Sequence, residues 1–397
     1  MLYSHFTEKL LGLKGIIIKN ITQTEKVTSI EIEMELKPHD CPCCGTATRT
    51  IHDYRRQKAK DIPAFGKHIL LYLRKRRYRC PHCGKRFYEE NSFLPKYHRM
   101  TNRLCAYVIQ QLTDVRSFSS VAREVNLSVS TVIRIFDFVQ YAPSKLSSVL
   151  SIDEFKGNTD KEKYQCIITD PVSRRILDIL PSREKHRLTA YFKKFERTQT
   201  TYFISDMWST YADISDTFFK NAIFIVDKYH YIRQVIWAFE AVRKEVQKQL
   251  TSGRRKYFKR SRALLNKRYE FLSDEQKQQV NMMLYSSEKL RNAYWLKESF
   301  LKILDCKDSK SARKELSNWV MAASNSDMKR YVDCAKTMVN WSIGILNSFD
   351  CNYTNGFTEG CNNKIKVLKR NAYGYRNFSR FRNRILHIFN HDKNEVA

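Results

Sequence analysis

The sequence predicts a multidomain α/β protein: a mixed sheet followed by an all-helical block, and preceded by a cysteine-bound module and a helical hairpin. Three observations predict it. The pattern Cys-Pro-x-Cys-Gly occurs twice, as "CPCCG" at 41–45 and "CPHCG" at 80–84. Between the hairpin and residue 227, short apolar runs are broken by Gly, Pro, Asp and Ser, which is strand chemistry. Residues 254–343 then contain neither Gly nor Pro. A chain of 397 residues has room for several such domains.

The cysteine pattern comes first. Two-residue spacing lets Cys41 and Cys44 chelate one ion, and Cys80 with Cys83 closes a tetrahedron of thiolates around Zn²⁺. Gly45 and Gly84 suit the tight turn after each pair. Cys43 is a surplus thiol in the first knuckle. Four thiolates leave no open position, so this zinc is expected to be structural. The other cysteines are scattered, and an odd total of eleven fits a reducing compartment better than a disulfide scaffold. Between the knuckles lies "LRKRRYRC", whose Arg74, Lys75, Arg76, Arg77 and Arg79 are expected to contact phosphates.

"SFSSVAREVNLSVSTVIRIFDFV" follows, at 117–139. Ala122 is small where two helices would cross, and Asn126, four residues on, tolerates the left-handed turn. Ser128 is placed to cap the second helix, leaving Ser130, Thr131 and Arg134 outward for a DNA major groove. This is a helix-turn-helix pattern.

"SSVLSIDEFKG", "KYQCIITDPVS" and "RRILDILPSR" then read as three strands, "EKHRLTAYFKKFER" as a helix, and "TYFISDMW" and "NAIFIVD" as two more strands around a short helix. In the block that follows, Ile232, Val235, Ile236, Phe239, Val242, Val246 and Leu250 repeat at helical spacing. Ser273 and Gln276 form a capping-box start.

Charge narrows the function. Lys and Arg exceed Asp and Glu by 71 − 41, a net +30, which favours a polyanion. No apolar run approaches the ~20 residues of a membrane span. The N-terminus lacks the apolar core of a secretory signal. Nucleic acid is the expected partner, and the cytosol the expected location. Residues 354–384 hold eight bases and one acid, Glu359. Asp153 and Asp206 each follow or end a predicted strand. Carboxylates from separate elements, converging on one cleft, are what two hard Mg²⁺ ions ~4 Å apart require. Lys366, two helical turns after Glu359, shares its face and can grip a phosphate, and Lys369, Arg370 and Arg376 extend the basic surface.

The order of zinc knuckles, helix-turn-helix, "IDEF", "SDMWSTY", "VDKYH" and "NGFTEGCNNKIKVLKRNAYGYRNF" resembles DDE transposases of bacterial insertion sequences, in particular the ISL-three group. The resemblance implies a ribonuclease-H-like catalytic core interrupted by an all-helical insertion, behind a zinc-ribbon-like module. It implies a catalytic triad of Asp153, Asp206 and Glu359 holding two Mg²⁺ or Mn²⁺ ions. Asp227 and His230 are similar to an acid-x-x-His element, with catalysis or packing of the insertion as its alternatives. Glu154, beside Asp153, is expected on the opposite strand face and is not counted as a ligand. Trp319 in the helical block has two readings, a core aromatic or a platform for an extruded base.

The domains expected are a zinc-binding module (1–97), a helix-turn-helix (98–142), the core's first part (143–230), the insertion (231–345) and the core's C-terminal part (346–397). The function implied is a transposase that binds terminal inverted repeats, cleaves double-stranded DNA there and joins the ends to target DNA. It is expected to act as a homodimer or larger assembly. The alternatives are a sequence-specific DNA-binding regulator derived from a transposase, and a structure-selective nuclease.

Overall fold

The computed structural model describes residues 11–260 and 262–390. The reading of the N-terminus as free of a secretory signal falls mainly on residues 1–10, outside the described ones. The chain forms two compact units. One runs to Tyr141 and includes Lys366–Tyr375 and the residues from Ser379 on; the other is Ala142–Ile365 with Arg376–Phe378.

The first unit is built on a five-stranded sheet. Strands β1 (Ile16–Gln23), β2 (Val27–Met34), β5 (Ile51–Ala64), β6 (Lys67–Arg79) and β7 (Arg86–Tyr88) form it, in the order β1-β2-β6-β5 with β7 also on β6. β5 and β6 make a long hairpin turned at Phe65 and Gly66, both at positive φ, the geometry that matches strand twist in a two-residue turn. Alternate residues Leu71 and Leu73 of β6 and Ile30 and Ile32 of β2 point into one core. Fully buried side chains of this size contribute about 1.5–3 kcal/mol each. The two-stranded β3 (His39–Asp40) and β4 (Ala47–Thr48) frames the first knuckle.

Three short helices follow: Asn102–Gln111, Phe118–Glu124 and Val129–Asp137, capped by Thr101, Ser117 and Ser128 respectively. Asn126 takes φ 54° at the turn and Ala122 is buried, as the sequence predicts. The C-terminal helix Phe378–Asn390 completes this bundle. Its fully buried Arg384 donates to the carbonyls of Leu112, Asp114 and Arg116, satisfying the loop between the first two helices. Arg380 grips Asp137 with two 2.8 Å bonds. Residues 346–397 were expected to stay together with the core; these contacts put their last helix with the helix-turn-helix instead.

The second unit carries β8 (Val149–Thr159), β9 (Glu162–Asp170), β10 (Arg175–Leu180), β11 (Tyr202–Ser205) and β12 (Ile223–Val226) in the order β10-β9-β8-β11-β12. The first three are antiparallel, and β11 and β12 run parallel to β8. Helices Lys185–Phe192 and Ser209–Phe218 lie between strands in the predicted order. From Lys228 to Asn347 the described residues are helical apart from turns, around a core that includes Phe239, Tyr294, Phe300 and Trp319. Ser273 and Gln276 form the capping box. Gly344 lets the helix Ser342–Asn347 press on β12, since a Cβ there would lie 2.8 Å from Val226 and 2.9 Å from Phe224. Among the described residues no helix is long and apolar enough to cross a membrane.

Candidate functional site

Three aspartates lie where the parallel pairing ends: Asp206 and Asp227 follow the last residues of β11 and β12, and Asp153 is within β8. β11 ends at Ser205 opposite Val226 of β12, so Asp206 and Asp227 leave neighbouring strand tips. β8 pairs with β11 only as far as Ser151, opposite Ile204, and Asp153 lies just beyond. The carboxyl ends of parallel strands are where open α/β sheets bind ligands.

The helix Gly356–Asn371 is seated on β8 and β9 by a buried polar seam. Thr358 Oγ1 lies 3.0 Å from Ser151 Oγ and 2.7 Å from Thr169 Oγ1, and all three side chains are fully buried. Asn355 Oδ1 accepts from Ser151, and its N–H donates to Asp227 at 3.1 Å. One turn on, Asn362 Nδ2 donates to Asp153 at 2.9 Å. Positions 355, 358, 359 and 362 form one helix face, so Glu359 is carried to the same end of the sheet.

The carboxylates of Asp153, Glu154 and Asp206 lie within 4.8 Å of one another. Glu154, which the sequence reading set aside, is one of the three. Alternation does put it on the opposite face, where Arg183 holds it at 2.6 Å and Tyr211 Oη lies 3.5 Å away. Because β11 stops short of it, it still reaches round to Asp206. Glu359 does not join that cluster; its side chain is exposed on the helix's first turn.

Burial, with mutual repulsion among the acids, pushes both Asp153 and Asp206 up to about 7. Burial also raises Asp227, against backbone N–H groups of Asn355, Tyr229 and Lys228. His230 is pushed down to about 4 by burial and by Arg233, with Glu359 opposing. It is neutral at neutral pH, so its 4.0 Å approach to Asp227 is not an ion pair. Asp206 Oδ1 and Asn362 Oδ1 are buried without a hydrogen-bond partner. Hard oxygens within 4.8 Å of one another, one of them orphaned, are the donors a divalent cation takes; octahedral Mg²⁺ at ~2.1 Å sets its ligands about 3.0–4.2 Å apart.

The second cluster is sulfur. Cys41 Sγ lies 3.5 Å from Cys83 Sγ, and Cys44 Sγ 3.6 Å from Cys80 Sγ, with all four within 4.8 Å. A Zn–S bond of ~2.3 Å gives a tetrahedral edge of about 3.8 Å, so the cage is close to size. The knuckles match: Gly45 and Gly84, at φ 72° and 74°, donate to the carbonyls of Cys41 and Cys80. Cys43 stays exposed outside the cluster.

A family model described as "Transposase", for the ISL3 class of DDE enzymes, matches residues 150–385, more than half of the chain. The chain belongs to the ISL3 family of DDE transposases. A second model, the helix-turn-helix domain of transposase family ISL3, matches residues 89–139, and the zinc-finger of transposase IS204/IS1001/IS1096/IS1165 matches 37–83. The chain is 27% identical to the transposase for insertion sequence element IS1001 of Bordetella parapertussis, over 95% of this chain and 96% of that one. It is 25% identical to the transposase for IS1557 of Mycobacterium tuberculosis, over 57% and 56%. A shorter similarity, 36% over 27% of this chain and 33% of the other, is to a Lactococcus lactis protein named ATP-dependent protease. This transposase binds DNA and carries a structural zinc ribbon.

The DNA-facing residues expected of the transposase are unevenly placed. Ser130 and Arg134 are exposed and Thr131 half-buried on the second helix of the helix-turn-helix. Lys366, Arg370 and Arg376 are exposed, and Lys369 is half-buried. In β6, Arg74 and Arg79 are exposed, Arg77 lies 3.5 Å from Asp53, and Lys75 is largely buried. Arg76 is withdrawn from the DNA-facing set. Its guanidinium is buried against Glu33 at 3.3 Å and Glu89 at 3.2 Å, and it donates to the Met34 carbonyl at 2.7 Å. Trp319 is 3% exposed, donates to the Leu296 carbonyl at 2.8 Å and packs edge-on to Phe300. It is a core aromatic, and the platform reading is withdrawn. Sequence reasoning missed Asn362, which nothing marks out, and the cations of "YRRQKAK" at 54–60, which were plain in composition.

Proposed function

We propose that this transposase recognises the terminal inverted repeats of its insertion sequence, cleaves there and joins the freed ends to target DNA by DDE chemistry. The observation that carries it is the orphaned Asp206 oxygen, buried among carboxylates at the tips of parallel strands. A sheet ordered third-second-first-fourth-fifth, its last two strands parallel to the first, supports a ribonuclease-H-like core. The core would be residues 143–230 and part of 346–397, interrupted by the helical insertion at 231–345. The zinc module (1–97) and helix-turn-helix (98–142) would bind the ends.

Asp153, Asp206 and Glu359 would hold two Mg²⁺ or Mn²⁺ ions, with Glu154 a further carboxylate within reach. Glu359 lies one turn from Asn362, where Cβ atoms are ~5–6 Å apart, and Asn362 touches Asp153. Bound ions would lower the barrier by stabilising charge on the attacking and leaving oxygens. Water attacks the phosphorus and the 3′ oxygen leaves as a hydroxyl; that hydroxyl then attacks target DNA, with no covalent enzyme intermediate. Asn362 orients Asp153, and Lys366 would steady a phosphate. Two ends must be paired, so a dimer or larger assembly is the working form, acting on nucleoid DNA in the bacterial cytoplasm.

Incubating the protein with Mg²⁺ and DNA carrying the inverted repeats tests this. The expected products are a 3′-hydroxyl nick at the repeat boundary and strand-transfer joints. Cutting that ignores the repeat would indicate a structure-selective nuclease, and binding without cutting a regulator.

A further inference from the structure

A cationic groove of the first unit lies beside β5. Its volume is about 790 Å³. It is lined by Arg55, Arg56 and Lys58 of β5, Lys75 of β6, and Lys96 and Arg99 from the segment after β7. No carboxylate lines it. Arg56 does pair with Glu31 at 2.6 Å and Arg55 with Asp53 at 3.5 Å, but both arginine side chains are 62% exposed, and such surface pairs are weak. Burial lowers the pKa of Lys75, opposed by Glu89, with Lys96 adding to the lowering.

The groove is also tied to the reading helix Val129–Asp137. Lys60 N–H donates to the Arg99 carbonyl at 2.9 Å, and Thr101 N–H to the Lys60 carbonyl at 3.0 Å, fixing the segment after β7 to β5. Thr101 caps the first helix of the helix-turn-helix. The Lys60 ammonium donates to the carbonyl of Asn126, the turn residue two positions before the cap of the reading helix. A duplex seated on that helix presents a phosphate every 3.4 Å per strand to whatever flanks it.

We propose that this groove is a second DNA site, a sequence-independent clamp for the phosphates flanking the stretch read by Val129–Asp137. Its ligand is the duplex backbone. The proposal rests on the reading helix contacting DNA, and the test separates the two.

The Arg55→Ala/Arg56→Ala/Lys58→Ala variant is titrated with inverted-repeat DNA and with random duplex across about 50–300 mM salt. Each lost phosphate contact removes about 0.9 from the slope of log affinity against log salt, so the slope falls by about 2–3. Both duplexes weaken alike, and the specificity ratio is kept. Arg134→Ala, run in parallel, loses discrimination with little change in slope. Unchanged slope and affinity in the triple variant overturn the clamp even where Arg134→Ala behaves as expected. Should Arg134→Ala keep full discrimination, the helix reading falls, while the triple variant still decides the clamp. Loss of binding to single-stranded RNA alone, with duplex affinity intact, also overturns it. If the triple variant does not fold, Lys58→Gln/Lys96→Gln, both exposed positions, replaces it with a slope change of about 1–2 as its criterion.

Discussion

Asn362 Nδ2 lies 2.9 Å from Asp153 Oδ2 and 3.4 Å from the Glu154 carbonyl, joining residues more than 200 positions apart. The bond ties the helix that carries Glu359 to the strand that carries the first aspartate. It also fixes the Asp153 carboxylate while the other amide atom, Asn362 Oδ1, remains buried and without a partner.

Asn362→Ala removes that orientation without removing a carboxylate. Metal affinity should fall about 10–100-fold, as for other groups that orient a ligand, while end-DNA binding holds. Mn²⁺ titration of the variant, beside a gel-shift assay, checks both. Unaltered Mn²⁺ affinity would reduce Asn362 to a packing role.

The acids predict a pH dependence of unusual sign. Asp153 and Asp206 sit at about 7 in the fold, above their ordinary 3.8. Between these values the folded chain holds protons that the unfolded chain has released. Stability from the pair is therefore present at acid pH and lost as pH rises from about 4 through about 7. Chelator-treated protein should melt higher at pH 5.5 than at pH 8 relative to an Asp153→Asn/Asp206→Asn control. Mg²⁺ should raise the melting point more at pH 8, because it competes with those protons. A pH-independent difference between protein and control would contradict the raised values.

Cys80→Ser breaks the thiolate cage. Structural zinc in small modules contributes about 10–16 kcal/mol to folding, so the segment around residues 37–83 should unfold and end binding weaken. Metal analysis should find one zinc per chain in the wild type and none in the variant. Well-folded wild-type protein without zinc would refute this.

Trp319→Ala opens a cavity against Phe300 and leaves the Leu296 carbonyl without its side-chain donor. A loss of about 3–5 kcal/mol is expected, with binding and cleavage falling together. An abasic substrate should restore nothing. Normal stability with slow, rescuable cleavage would return Trp319 to a DNA-facing role.

The repeated knuckles made the four-cysteine cluster legible in the sequence, because local spacing sets each Cys-x-x-Cys pair. The helix-turn-helix was legible for the same reason: Ala122, Asn126 and Ser128 act within a few residues of one another. The misreadings concern partners remote in sequence. Arg76 sits in a run of bases, yet Glu33 and Glu89 from other segments bury it. Strand alternation set Glu154 aside, yet β11 ends before reaching that point of β8 and the Glu154 carboxylate lies near that of Asp206. Arg384 is one of the eight bases at 354–384, but three loop carbonyls hold it in the helical bundle. Asn362 was invisible, since one asparagine among many carries no spacing signal.

In the proposed chemistry the buried acids drive metal-dependent strand cleavage. The measurement that tests it most directly compares single-turnover cleavage of inverted-repeat DNA in Mg²⁺ by wild type and Asp206→Asn, at equal DNA occupancy. Loss of a ligand that holds catalytic metal should slow cleavage by ~10³-fold or more with end binding unchanged. Cleavage within about tenfold of wild type at that occupancy would contradict the assignment of the site.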